Sequence, residues 1–156
     1  MPSSPTRPPF IVSTSDVPET THRYPNSDEP MAPSRAIGRA AGLLKIGLHV
    51  KRVPPGHRIS WPHAESHEEE FVYVLEGEIT LVEDGGETLL KPGDAAGWKA
   101  GVANGHMLVN KSSRDAVYLE IGSRLPRERA HYPDYDLLYT RDENGIKVTH
   151  RDGKPY

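Results

Sequence analysis

Along the chain, the rhythm of apolar and polar residues changes twice. The first 33 residues show no period: Pro2, Pro5, Pro8, Pro9, Pro18, Pro25, Pro30 and Pro33 are spread among polar residues, and Phe10-Ile11-Val12 is the one apolar anchor. Proline lacks a backbone donor and clashes with the preceding helical turn, so this stretch is expected as an extended arm. From about residue 38 the period becomes two. Leu44, Ile46, Leu48 and Val50 alternate with Leu43, Lys45, Gly47, His49 and Lys51, which predicts a half-buried strand broken at Pro54-Pro55-Gly56. Phe71 to Leu75 predicts the next strand, and Glu76-Gly77 turns it into Ile79 to Val82. Asp84-Gly85-Gly86 and Pro92-Gly93-Asp94 are further turns, with Glu87 to Leu90, His106 to Asn110 and Ala116 to Ile121 as further strands. No long amphipathic helix is evident between 38 and 122. Short strands with closely spaced turns predict an all-β sandwich or barrel.

After Gly122 the chain becomes polar and rich in tyrosine, with Tyr132, Tyr135, Tyr139 and Tyr156 in the tail and an Asn144-Gly145 hairpin signal. Plain coverage of the sandwich surface is the favoured expectation for this tail, ahead of a cap near a pocket. The expected division is an extended arm over 1–37, a barrel over 38–122, and a tail packed on the barrel over 123–156.

Composition narrows the function classes. The 156 residues suffice for one domain with a real core. A net charge of −3 advertises no basic surface, so nucleic acid is not an expected partner. The chain has no cysteine, which removes disulfides, thiolate metal sites and cysteine nucleophiles together. The longest strongly apolar run, Phe71 to Leu75, falls far short of the roughly 20 residues of a spanning helix. No apolar signal-peptide core follows Arg7 either, so no membrane association and a cytoplasmic location are expected.

The densest chemistry lies between His57 and Glu70. His57, His63 and His67 fall there with Glu65, Glu68, Glu69 and Glu70. Imidazole mixed with carboxylate suits Zn²⁺, Fe²⁺, Mn²⁺ or Ni²⁺. On a strand, His63 and Glu65 project to one face. A turn would let Glu70 converge on them, and His106 opens a later strand. A helix with His63 and His67 four apart is the alternative, but His67-Glu-Glu-Glu70 lacks the second histidine of the HExxH pattern. A solvated charged loop is the plain competing reading. Elsewhere the bland readings lead: His49 and His57 as satisfied polar groups, Trp61 and Trp98 as packing, and Tyr73 and Tyr118 as buried rings whose hydroxyls reach a partner.

Gly56, then His63-x-Glu65-x₄-Glu70-x₆-Gly77, resembles the first motif of the cupin superfamily. Gly93-x₅-Lys99-x-Gly101-x₄-His106-x₃-Asn110 resembles the second. The wording from Gly101 to Gly122 and the later His-Tyr-Pro-Asp-Tyr-Asp look like small bacterial single-domain cupins, some labelled sugar-phosphate isomerases by analogy. The resemblance implies a double-stranded β-helix, the cupin jelly roll, with one divalent metal ion in its mouth. By position, His63, Glu70 and His106 match metal ligands, and Asn110 the asparagine closing the motif. Three departures stand out. Glu65 replaces the second histidine, Lys99 replaces the usual proline, and two extra residues within 102–105 precede His106. Glu65 is then a fourth ligand or, released from the metal, the catalytic base, with His67 a second choice of ligand.

The implied function is isomerisation or epimerisation of a small polar, sugar-like substrate, with a metal-dependent dioxygenase as one alternative and a non-catalytic small-molecule binder or sensor as another. A homodimer is also implied, with the arm adding to a neighbour's sheet edge.

Overall fold

The computed structural model describes residues 8–156; Pro2, Pro5 and the rest of the arm's first seven residues lie outside the described residues. The strands are β1 (Ser34–Arg35), β2 (Ile46–Val53), β3 (Ala64–Glu65), β4 (Glu70–Glu76), β5 (Ile79–Glu83) and β6 (Gly86–Leu90). They continue with β7 (Ala95–Trp98), β8 (His106–Val109), β9 (Ala116–Ser123), β10 (Glu128–His131), β11 (Leu138–Asp142) and β12 (Gly145–Thr149). One helical turn, α1 (Ile37–Ala40), precedes β2. The first sheet has the order β1-β2-β9-β4-β7. The strands β6-β5-β8 and β12-β11-β10-β3 make two shorter sheets. Pairing of Arg58 with Val109 and of His63 with His106 joins these two edge to edge, so they form the second wall of a jelly roll.

Register decides which residues face inward. Val53 pairs with Ala116, Lys51 with Tyr118, His49 with Glu120 and Gly47 with Gly122 across β2 and β9. Val74, Val72 and Glu70 of β4 stand opposite Tyr118, Glu120 and Gly122. Paired residues share a sheet face. Val53, Val72, Val74, Ala116 and Tyr118 are buried in the main core with Ile79, Leu81 and Leu108 from the second wall. The Tyr118 hydroxyl finds no hydrogen-bond partner among the described residues. Tyr73 lies on the outer face and is 39% exposed, so its ring is not buried as expected.

The phase of β2 differs from the simplest sequence expectation. Leu48 and Val50 face outward, while Gly47, His49 and Lys51 face in. Leu44 and Ile46 are 84% and 47% exposed. Leu48 is covered instead by α1, where a Cβ on Gly38 would meet the Leu48 Cβ at 2.9 Å. Gly77, between β4 and β5, has φ +71°, and a Cβ there would stand 2.4 Å from the Asp115 carbonyl oxygen, so only glycine fits the turn.

Of the arm's described residues, Val17, Met31 and Ala32 are buried, whereas Phe10 and Ile11 are 70% and 48% exposed. The apolar anchor of the arm is therefore beside the barrel and not at Phe10-Ile11-Val12. The tail forms β10–β12, with β10 pairing with β3 through Ala130–Glu65 and His131–Ala64. A second cluster, with Met31, Trp61, Tyr132 and Leu137 buried, ties arm, barrel and tail together. In it Trp61 is stacked between Tyr24 at 4.2 Å and Tyr135 at 3.9 Å. No helix among the described residues is long and apolar enough to cross a membrane.

Candidate metal centre

His63 and His106 face each other across neighbouring strands. The His63 N–H donates to the His106 carbonyl at 3.2 Å and the His106 N–H to the His63 carbonyl at 2.9 Å. Their rings lie 5.0 Å apart. Glu65 follows two residues after His63, and its Oε1 lies 3.0 Å from His63 Nε2. Glu70 arrives from the other wall as the first residue of β4, with Oε2 3.3 Å from His106 Nε2 and 4.0 Å from His63 Nε2. One donor atom from each of these four residues lies within 4.8 Å of all the others.

The donor set fits a divalent ion. Donors at about 2.1 Å from a shared ion are separated by roughly 3 to 4.2 Å, the range of the three pair distances above. The imidazoles are presented in the form a metal needs. Nδ1 of His63 donates to the Trp61 carbonyl at 2.9 Å, and Nδ1 of His106 to the Asn104 carbonyl at 3.3 Å, leaving each Nε2 lone pair toward the centre. Two half-buried carboxylates aimed at one point also repel unless a cation or proton lies between them. The Trp98 indole stacks on His106 at 3.9 Å and 6°, and Tyr132 stacks on His63 at 5.5 Å. These contacts fix the two rings.

The connecting loops are held as firmly. The buried Glu128 carboxylate accepts backbone N–H groups of Ser66, His67, Glu68 and Arg129, which pins the loop between Glu65 and Glu70. Before His106, the Gly101 N–H donates to the Glu65 carbonyl at 3.0 Å and Asn104 Nδ2 to Glu83 at 2.8 Å. The two extra residues of that loop are absorbed without displacing His106. Asn110 closes the strand from the inside, its Nδ2 donating to the carbonyls of Val53 and Arg114, each at 2.7 Å. His67 lies outside the donor set, 54% exposed beside Glu128.

Without an ion, proton and charge are shared within the set. Burial disfavours charge on His63, but the Glu65 hydrogen bond and the two carboxylates win and carry it up to about 9. Burial likewise opposes Glu65, yet its bond to His63 holds the carboxyl below the ordinary range. Burial dominates at Glu70 and pushes it up against the pull of His106. A metal bound there would compete with a proton at His63, and the competition would favour the metal as pH rises.

The centre opens on a cavity of about 340 Å³. Across from His63 and Glu65, its wall is Gly47, His49, Lys51 and Glu120 in the same sheet as Glu70, and its lining includes Tyr139 and Arg141. The tail thus reaches the cavity and does more than cover the sandwich. The sequence reading missed Lys51, Glu120 and Arg141 and set His49 aside. The available signal was phase: His49 and Lys51 lie four and two residues before the buried Val53.

A two-walled β jelly roll with a histidine–carboxylate set in its mouth that could hold a metal ion defines a small barrel of the cupin kind. Residues 49–122 match the cupin domain family. A solved structure described as a sugar phosphate isomerase of the cupin superfamily, from Silicibacter pomeroyi, is 34% identical with a TM-score of 0.86. That match covers 94% of this chain and 96% of the other. The chain belongs to the cupin superfamily. A structure from Acidithiobacillus ferrooxidans, 24% identical, matches with a TM-score of 0.81 over 95% of this chain and 96% of its own, and shares the fold. So does a polyketide cyclase from Streptomyces resistomycificus, at 23% identity and a TM-score of 0.62 over 85% and 84% of the two chains. No curated protein matches the chain.

Proposed function

We propose that this chain is a divalent-metal-dependent isomerase or epimerase of a small polar, sugar-like substrate. The observation that carries the reading is the donor set itself: four residues with donor atoms within 4.8 Å, of which His63, Glu65 and Glu70 line a cavity sized for a small molecule. His63, Glu65, Glu70 and His106 would hold the ion, whose identity among Zn²⁺, Fe²⁺, Mn²⁺ and Ni²⁺ the donors leave open. When bound, it would supply Lewis acidity toward a carbonyl oxygen. Glu65, kept ionised beside His63, is suited to accept a proton when it is not itself a ligand. Similarity to the Silicibacter pomeroyi protein supports a sugar phosphate as the first substrate class to try.

Metal content by mass spectrometry tests the site. About one divalent ion per chain is expected, lost in His106→Ala. Loaded protein should then interconvert at least one aldose phosphate with a ketose phosphate or an epimer. Stoichiometric metal with no turnover on such a panel would make the chain a binder and not an enzyme.

The same reading includes a homodimer. Ile46, Phe71, Tyr73 and Leu75 leave an apolar stripe on the outer face of the five-stranded sheet, and Phe10 and Ile11 are exposed on the arm. Removal of residues 1–12 spares the buried Val17, Met31 and Ala32, so it tests the arm without opening the core. Light scattering should show a dimer that the truncation weakens to monomer; an unchanged mass would exclude the arm from the interface.

A further inference from the structure

The cavity wall that carries Glu70 and faces His63 and Glu65 holds a charged group that the isomerase reading does not use. Lys51 Nζ lies 3.4 Å from one oxygen of the Glu120 carboxylate, and His49 Nδ1 lies 3.3 Å from the other. The side chains of Lys51, Glu120 and His49 are only 12%, 17% and 28% exposed. Withdrawing such charges from water is expensive, and the ion pair is not needed to join the strands. β2 and β9 already pair from Ile46–Ser123 through Val53–Ala116. Lys51 and His49 together hold the Glu120 carboxyl at about 2 against the opposing effect of burial, so the carboxylate stays charged and fixed.

The ring of His49 is aimed by this contact. With Nδ1 turned to Glu120, Nε2 is left to the cavity. Its Cε1 lies 3.6 Å from where a Cβ on Gly47 would stand, and Gly47 faces Gly122, so the ring extends toward a mouth cleared by two glycines.

We propose that His49 is a proton-transfer residue of this cavity, aligned by Glu120, which Lys51 locks in place. The proposal rests on the isomerase reading and adds a second group to it. Neutral His49 takes a proton through Nε2 from the carbon next to the substrate carbonyl. The C–H electron pair becomes the carbon–carbon double bond of an enediolate, and the carbonyl π pair moves onto oxygen. The hydroxyl proton passes between the two substrate oxygens, and His49 returns its proton to the neighbouring carbon. No oxidant or reductant is consumed, and Glu120 offsets the charge the ring gains in mid-reaction.

Two measurements test it on the full chain. In D₂O, loaded protein is incubated with a panel of triose to hexose phosphates while proton NMR follows loss of the C–H signal beside the carbonyl. His49→Gln should slow the exchange by about 10²–10⁴-fold, with metal content unchanged; His49→Asn replaces it if the glutamine variant does not fold. Wild-type exchange in a metal-loaded His49 variant would overturn the proposal and leave the isomerase reading standing. No exchange by the wild type on any member of the panel overturns both. The second measurement needs no turnover. Nitrogen-15 NMR of neutral His49 should show the proton on Nδ1 and a free Nε2, a preference that Glu120→Gln weakens. A neutral ring protonated on Nε2 would overturn the proposal.

Discussion

Along β2, β4 and β9 the inner face runs from Val53, Val74 and Ala116 at one end to Gly47, Glu70 and Gly122 at the other. The same three strands, in the same alternating phase, make a dry core below and a charged cavity above. The core end holds Val53, Val72 and Ala116 at 0% exposure and is closed from the opposite wall by Leu108 and Ile79. The cavity end holds Lys51, Glu120, His49 and Glu70 on one side and His63 and Glu65 on the other. Backbone pairing is indifferent to the change, because the ladder satisfies every strand alike. The difference lies in the side chains, where apolar burial stabilises one end and confined charge weakens the other. The lower end carries the fold and the upper end spends part of that stability on chemistry.

The largest effects should separate the two ends on a single strand. Leu108→Ala opens a void in the core and is expected to cost about 2–5 kcal/mol in chemical denaturation. Its folded fraction should still bind metal at wild-type stoichiometry. His106→Ala, two residues away on β8, should instead abolish the rise in Tm on adding metal. In the wild type that rise reflects about 2.7 kcal/mol at a hundredfold excess over Kd. If Leu108→Ala also abolished metal binding in folded protein, the two ends would be one cooperative unit and the comparison would fail.

Much of this was readable in the chain, for local reasons. The turns at Gly77, Gly93 and Gly145 are positions with positive φ, which glycine announces by itself. His63, Glu65 and Glu70 are close in sequence, and the strand phase that brings His63 and Glu65 together needs no distant partner. His106 was legible through its motif, although the extra residues before it obscured the register that Asn104 and Gly101 restore. What was not legible depends on distant pairing. Alternation in β2 shows that two faces differ but not which one is inside; α1 over Leu48 and β9 opposite His49 decide that. The pairing of β10 with β3 likewise brings Tyr132 against His63 from almost seventy residues away, and no local signal announces it.

A smaller effect sharpens the comparison at the Lys51–Glu120 pair. Each single change, Lys51→Met or Glu120→Gln, strands a partner in the cavity wall, whereas the double variant removes both charges. A double-mutant cycle at neutral pH should give a coupling of about 0.5–3 kcal/mol, with the double variant more stable than the two singles predict. The acid limb gives the sign. Glu120 sits at about 2 in the folded chain against an ordinary 4.5, so the unfolded chain takes up the proton first. Its contribution is complete above about 4.5 and is lost as pH falls through 2. Removing Lys51 lets the folded-state value climb back toward 4.5, so Lys51→Met should narrow that acid-sensitive window and weaken the pair even at neutral pH. Equilibrium unfolding at stepped pH reads both. A coupling near zero, with the same acid limb in wild type and Lys51→Met, would mean that solvent screens the pair as on an open surface. The upper end of the inner face would then be a wet rim and not a confined site.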